Sequence, residues 1–246
     1  MTTFGRSDAI IYVYLIIKDL ISTRDDQFIL ANYGQDYKPF QFTEHSSQPL
    51  LMGNRISGVI LTGGSNKRFG GITKANVVVG GKSIISRIVF IISGLFDEII
   101  IVTNKPEEFR AFIQYKIVKD QIIKAGPLGG IHAALQASSG DAIFVFAGDM
   151  PFLNRKIITD QINEFNKNEH DVLIPEINQL IEPLHTIYRK SLLNDLERFL
   201  YERKSKAVRD FLSEVNVGYL QVAETEESKL AFLNINSPSD LAKISL

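Results

Sequence analysis

Apolar and polar positions fall into a regular rhythm from Ile56 onward, where short continuous apolar runs alternate with stretches of helical spacing. Ser57-Gly58-Val59-Ile60-Leu61 is the first run and ends in a glycine loop, and Ser83 to Leu95 then carries apolar residues at helical intervals. Glu98 to Val102 is β-branched and reads as a strand. Pro106 to Ile113 opens with proline and two glutamates, which suits a helix start because proline loses nothing in the first turn and acids favour the N-terminal dipole. Tyr115 to Val118 predicts a strand, Leu128 to Ala137 a helix, Asp141 to Ala147 a buried strand, Asn154 to Phe165 a helix capped by Asn154, and Asp171 to Ile174 a further strand. Strands that are apolar throughout, separated by helices, predict a mostly parallel sheet covered on both faces. Ligands of such sheets bind beyond the carboxyl ends of the strands, so the loops that follow strands are where function is expected.

The first 54 residues do not share this rhythm. Ala9 to Ile17 is strongly apolar, but Lys18, Asp19 and Arg24 to Asp26 soon interrupt it. A membrane span needs roughly 20 apolar residues, so this run predicts a buried strand or short helix instead. Ala31 to Arg55 is loop-like. Two organisations are open: residues 1–54 are an appendage to a domain at 55–246, or the natural chain begins at Met52. Intact mass of the natural protein distinguishes them.

Composition narrows the classes. The 246 residues are 45% hydrophobic, enough for a sizeable core, and 27 Lys+Arg against 28 Asp+Glu leave a net charge of −1. That balance argues against a general nucleic-acid binder, which shows a basic excess. There is no cysteine, so thiol nucleophiles, disulfides and cysteine-based metal sites are excluded, and a reducing cytoplasm is compatible. The four histidines show no metal-ligand spacing.

The loop after the first strand reads Leu61-Thr62-Gly63-Gly64-Ser65-Asn66-Lys67-Arg68-Phe69-Gly70-Gly71-Ile72-Thr73-Lys74. Two glycine pairs allow backbone N–H groups to approach a phosphate where a Cβ would intrude, and Arg68 and Lys74 add positive charge. A Walker A loop ending at Gly81-Lys82-Ser83 would need glycine at position 76, where Asn76 stands, and the dinucleotide G-x-G-x-x-G spacing is absent after Leu61.

This segment resembles the nucleotide-binding signature of nucleotidyltransferases, and within them is most similar to the molybdenum cofactor guanylyltransferase family. Four later motifs carry the resemblance in order: Ala125-Gly126-Pro127-Leu128-Gly129-Gly130-Ile131, Ala147-Gly148-Asp149-Met150-Pro151-Phe152-Leu153, Glu182-Pro183-Leu184-His185-Thr186-Ile187-Tyr188-Arg189, and Phe232-Leu233-Asn234-Ile235-Asn236-Ser237-Pro238. It spans Ser57 to Leu246 and implies a GT-A-like, nucleotide-diphospho-sugar transferase-like fold with a Rossmann-like sheet.

The resemblance assigns roles that the residue chemistry supports. Leu61, Thr62, Gly63, Gly64 and Lys74 would bind the nucleotide, with Asn104 at a further contact. Asp120 would read guanine, accepting hydrogen bonds from N1 and N2 that adenine cannot supply. Asp149 emerges after a strand, and its hard oxygens suit Mg²⁺, which takes one or two carboxylates plus substrate phosphates. Lys74, Arg68 and Asp149 would be catalytic. Asn234 and Asn236, two apart on an expected strand, would share one face on the acceptor side. Leu184, His185, Tyr188 and Arg189 resemble the acceptor lining, and Arg189 would either meet the acceptor phosphate or lie at the surface as arginines generally do.

The implied reaction transfers GMP from GTP to the phosphate of molybdopterin or Mo-molybdopterin, in the cytoplasm, with no nucleic acid or membrane partner and with molybdoenzyme maturation proteins as recipients. Alternatives are a relative that uses CTP or a sugar or polyol phosphate, and a non-catalytic nucleotide-binding protein. The chain departs from the family pattern at Thr62, Phe69 and Gly129, small or apolar exchanges expected to be tolerated, and at Gly148, which replaces a commoner Cys without obvious chemical consequence. It also has Thr73 where the family has Asp before the lysine, which bears on how Lys74 is placed.

Overall fold

The computed structural model describes residues 54–63, 72–122 and 124–243. All of them fall in one contiguous unit of contacts, Met52–Lys243. The N-terminal segment lies outside the described residues except for its last member, Asn54. So do Gly64 and Arg68 of the glycine loop.

Strand β1 (Ile56–Leu61) is followed by a 3-10 turn at Lys74–Asn76, a hairpin of β2 (Val78–Val79) and β3 (Lys82–Ser83), and helix α1 (Ile84–Ile92). Ser83 caps α1 by accepting from the Ser86 amide, as short polar side chains at that position do. Next come β4 (Ile99–Val102), β5 (Lys116–Val118), α2 (Pro127–Ala137) and β6 (Ala142–Ala147). Helix α3 (Arg155–Lys167) has the expected cap, since Asn154 Oδ1 accepts from the amides of Lys156 and Ile157 at 2.9 and 3.1 Å. The chain continues with β7 (Val172–Ile177), β8 (Leu180–Ile181), β9 (His185–Arg189), α4 (Leu193–Glu202), α5 (Val208–Leu212), β10 (Val217–Gln221), α6 (Glu226–Ala231) and α7 (Pro238–Lys243). Pro106–Phe112 is a kinked 3-10 segment rather than the predicted α-helix, with Phe109 at φ −116° and ψ 23°.

Among the described residues the main sheet has eight strands in the order β10-β7-β9-β6-β1-β4-β5, with β8 on β7. β1 pairs in parallel with both β4 and β6, and β5 is parallel to β4. The mostly parallel expectation therefore holds at the centre, while β9 runs antiparallel to both β6 and β7. The chain builds β4 and β5 outward from one side of β1, then crosses back to place β6 on the other. Strand order thus reverses at β1, and the crevice opens at its carboxyl end.

Alternation along the central strands feeds two cores. Val59, Ile143 and Val145 face a cluster with α2 and α4 that includes Leu128, Ala134, Leu196 and Phe199. Phe144 and Phe146 are stacked with centroids 4.4 Å apart, and Phe96 meets both edge-on at 5.9 and 6.0 Å. All of these side chains are buried, each of them other than Ala134 contributing roughly 1.5–3 kcal/mol of apolar burial. The parallel ladder between β1 and β6 keeps their carboxyl ends side by side, with Leu61 opposite Ala147. Among the described residues no helix is long and apolar enough to cross a membrane.

Candidate active site

A cavity of about 390 Å³ opens at the carboxyl ends of β1, β4 and β6. Leu61, Thr62 and Gly63 after β1, Lys74, Asn104, Asp120, Lys124, Asp149 and Leu184 line it together with Gly126 at the start of α2. Its volume falls within the usual range for small-molecule sites.

Asp149 leaves β6 through a tight turn. The Gly148 amide donates to the Leu61 carbonyl at 2.9 Å, and the Ile235 amide donates to the Asp149 carbonyl at 2.8 Å. A Cβ on Gly148 would lie 2.8 Å from the Leu61 oxygen and 3.2 Å from Thr62 Cα, so the backbones approach as only glycine permits.

Lys74 reaches across the crevice from its 3-10 turn. Its ammonium donates to Asp149 Oδ2 at 3.0 Å and to Asn236 Oδ1 at 2.6 Å. Two oxygens from distant segments thus converge on one cation. Hard oxygen donors of this kind also fit Mg²⁺, which completes its shell with water and substrate phosphate. Among the described residues no cluster of three or more His, Cys, Asp or Glu could hold a metal, so any ion there would lean on Asp149, an amide and the substrate.

Asn234 and Asn236 do not lie on a strand. The segment before α7 belongs to no ladder among the described residues, and the two side chains have different partners. Asn236 meets Lys74, whereas Asn234 donates to the Phe232 carbonyl at 3.4 Å and hydrogen-bonds the Glu182 carboxylate. Glu182, between β8 and β9, is partly buried. Burial pushes its carboxyl above the usual range and the nearby Asp149 charge adds to this, against donation from the Leu184 amide and Asn234. Sequence reasoning missed Glu182 as a site residue, although it stands in the quoted Glu182-Pro183-Leu184 motif.

Asp120 follows β5 and accepts from the Ile122 amide at 2.9 Å. Burial raises its pKa, while that amide and the nearby His132 oppose the rise. Both carboxylate oxygens sit 2.6 Å from where a Cβ on Gly129 would be, so the first turn of α2 receives the acid because Gly129 has no side chain. With alanine at this position the carboxylate would have to move. Gly126, with φ 60° and ψ −144°, turns the chain into α2. Lys124 adopts φ 63° and lines the cavity, a residue that no motif singled out.

Other expected residues sit elsewhere. The Thr62 hydroxyl donates to the Val102 carbonyl at 2.9 Å, so this residue lines the cavity with its side chain committed to the sheet. Arg189 pairs with Ala142 at the opposite end of β6 from Asp149, donates to the carbonyls of His170 and Asn168, and lies over the Phe165 ring. It is neither an acceptor contact nor a free surface residue. His185 and Tyr188 are fully buried in the core, and of that segment only Leu184 reaches the cavity.

An order reversal at a central parallel strand, with a lysine and a carboxylate lining the crevice and an amide bonded to that lysine, is the arrangement of an α/β nucleotidyltransferase. The chain belongs to the family of MobA-like NTP transferase domains, whose model matches residues 58–217. It is 35% identical over 196 residues to a "Probable molybdenum cofactor guanylyltransferase" of Natranaerobius thermophilus, covering 77% of this chain and 95% of the relative. It is 30% identical over 190 residues to the molybdenum cofactor guanylyltransferase of Desulfosudis oleivorans, covering 76% and 93%. The solved structure of the molybdopterin-guanine dinucleotide biosynthesis protein A from Archaeoglobus fulgidus superposes with a TM-score of 0.65 at 28% identity, covering 76% of this chain and 95% of that one.

Proposed function

We propose that residues 55–246 transfer GMP from GTP to the terminal phosphate of molybdopterin, with or without molybdenum, releasing pyrophosphate and forming the guanine dinucleotide. The observation that carries this reading is the meeting of Lys74 with Asp149 and Asn236, where Lys74 and Asp149 line a cavity that Asp120 also lines. Guanine would lie toward Asp120, whose carboxylate accepts from N1–H and N2–H. The triphosphate would run over Gly63 and Gly64 toward Lys74, with Arg68 contributing charge from the same loop.

An acceptor phosphate is already anionic, so attack at the α-phosphorus needs no general base. Catalysis is then positioning and charge neutralisation. Lys74 would release Asp149 and Asn236 to neutralise the polyphosphate. Asp149 and Asn236 would hold Mg²⁺, which supplies Lewis-acid polarisation of the phosphate oxygens. Asn234, held by Glu182, would border the acceptor. With GTP as donor the reaction belongs in the cytoplasm, and the product would pass to molybdoenzyme maturation proteins.

The test incubates the protein with molybdopterin, Mg²⁺ and each nucleoside triphosphate in turn, then measures the pterin by mass. Addition of GMP from GTP alone is expected. Addition from CTP, or none from any nucleotide, overturns the reading.

A further inference from the structure

We propose that Glu108 is a positioning residue for Lys74: from a separate segment, its carboxylate fastens both ends of the turn that carries the lysine. The inference rests on the reading of Lys74 given above.

The turn at Lys74–Asn76 is short and has no side-chain cap of its own. Its internal bonds are Asn76 N to the Thr73 carbonyl at 2.8 Å and Val77 N to the Lys74 carbonyl at 2.9 Å. Such a turn, directly after a glycine-rich loop, is weakly determined by itself. Glu108 reaches it from the kinked 3-10 segment after β4. Oε2 accepts from the Thr73 amide and from Asn76 Nδ2, each at 3.3 Å, and the Glu108 carbonyl lies 3.5 Å from the same Nδ2. The Thr73 side chain bonds the carboxylate as well. Oε1 accepts from Lys105 Nζ at 2.7 Å, so the clamp is itself held on its outer side.

These contacts bracket Lys74 from the residue before it and from two residues after it. The lysine is the first residue of the turn, between the two contacts, so the Thr73 and Asn76 contacts set its starting point, while Asp149 and Asn236 receive its end. Hydrogen bonds from Lys105 and Thr73 hold the Glu108 carboxyl down at about 2, keeping it ionised and accepting across the working range. The kink at Phe109 is consistent with this arrangement, because Phe109 is fully buried while the preceding glutamate faces the turn.

A positioning role differs from a merely structural one in how it combines with loss of Lys74. The test measures kcat, KM for GTP and KM for the pterin phosphate in E108A, K74A and the double variant, with amide hydrogen exchange at Asn76 and Val77. E108A is expected to lower kcat roughly tenfold, with acceptor KM changed less than about twofold. Adding E108A to K74A should change kcat less than about twofold, since the lysine it positions is gone. Exchange at the two amides should quicken roughly tenfold in E108A, and E108Q, keeping one accepting oxygen, should lie between E108A and the parent.

Independent losses in the double variant, unchanged kcat in E108A, or unchanged exchange would each overturn the proposal. If E108A lacks a cooperative thermal transition, E108Q carries the same cycle. Where K74A leaves no measurable turnover, amide exchange decides. If the parent protein transfers nothing to the pterin, the functional reading fails, and exchange still judges the clamp.

Discussion

The Lys74 ammonium lies 3.0 Å from Asp149 Oδ2, although 75 residues of sequence separate them. The two side chains are 26% and 19% exposed, so the ion pair is only partly screened. Pairs of this kind contribute about 1 kcal/mol or less to stability. Its importance lies in bringing a cation and a carboxylate to one point in the crevice.

Substituting either partner should therefore separate activity from stability. K74A and D149A are each expected to lower turnover by roughly 10³-fold while changing stability by about 1 kcal/mol or less. Pyrophosphate release beside a thermal melt checks both, and near-parental turnover in either variant would refute the assigned roles.

Acid should weaken the fold through His185. Burial among the rings of Phe144, Phe146 and Phe232 lowers its pKa from 6.5 to about 4. Gln161 Oε1 lies 3.2 Å from its Nδ1. Below pH 6.5 the unfolded chain takes up a proton that the folded chain refuses. The stability this residue lends is thus complete above about pH 6.5, lost progressively as pH falls toward 4, and worth up to roughly 3 kcal/mol. Urea unfolding at pH 7 and pH 5 should show the loss, and H185Q should flatten it.

Gly148→Ala should harm both fold and site. Its Cβ would press on the Leu61 carbonyl at 2.8 Å, forcing β1 and the Asp149 turn apart. A loss of about 1–3 kcal/mol is expected, as for other overpacked positions, together with reduced turnover. A melt unchanged from the parent would contradict the close approach.

Base selection should depend on Asp120 and on the glycine beneath it. Asp120→Asn removes one of two accepting oxygens, and Gly129→Ala must push the carboxylate from its place 2.6 Å from the new Cβ. Both are expected to lower the preference for GTP over ATP by roughly tenfold or more, measured as the ratio of kcat/KM values. An unchanged ratio in D120N would remove Asp120 from base reading.

Much of the fold was legible because local rules and tertiary demand agree. Ala142–Ala147 is apolar throughout and lies buried on both faces, and Asn154 caps the helix that its side-chain chemistry suggests. Where they disagree, the sequence misleads. Pro106-Glu107-Glu108 has the marks of a helix start, yet the segment kinks at the buried Phe109 and Glu108 accepts from Thr73. Asn234 and Asn236 have the spacing of a strand face, yet among the described residues no strand pairs with that segment, and the two amides turn to different partners. Arg189 was ambiguous in one dimension, and the register of β9 against β6 carries it to the far end of the sheet.

By itself, the order of residues settled the alternation of strands and helices, the glycine loop after the first strand, and the five motifs that mark a nucleotidyltransferase. Those features depend on chain stiffness, side-chain period and short-range hydrogen bonding, which act within a few residues. Only the tertiary structure decided that Lys74, Asp149 and Asn236 share one point, that Glu182 stands behind Asn234, and that Glu108 holds the lysine's turn. Such meetings arise from strand order and register, which burial of the whole sheet determines, and no local stretch of sequence encodes them.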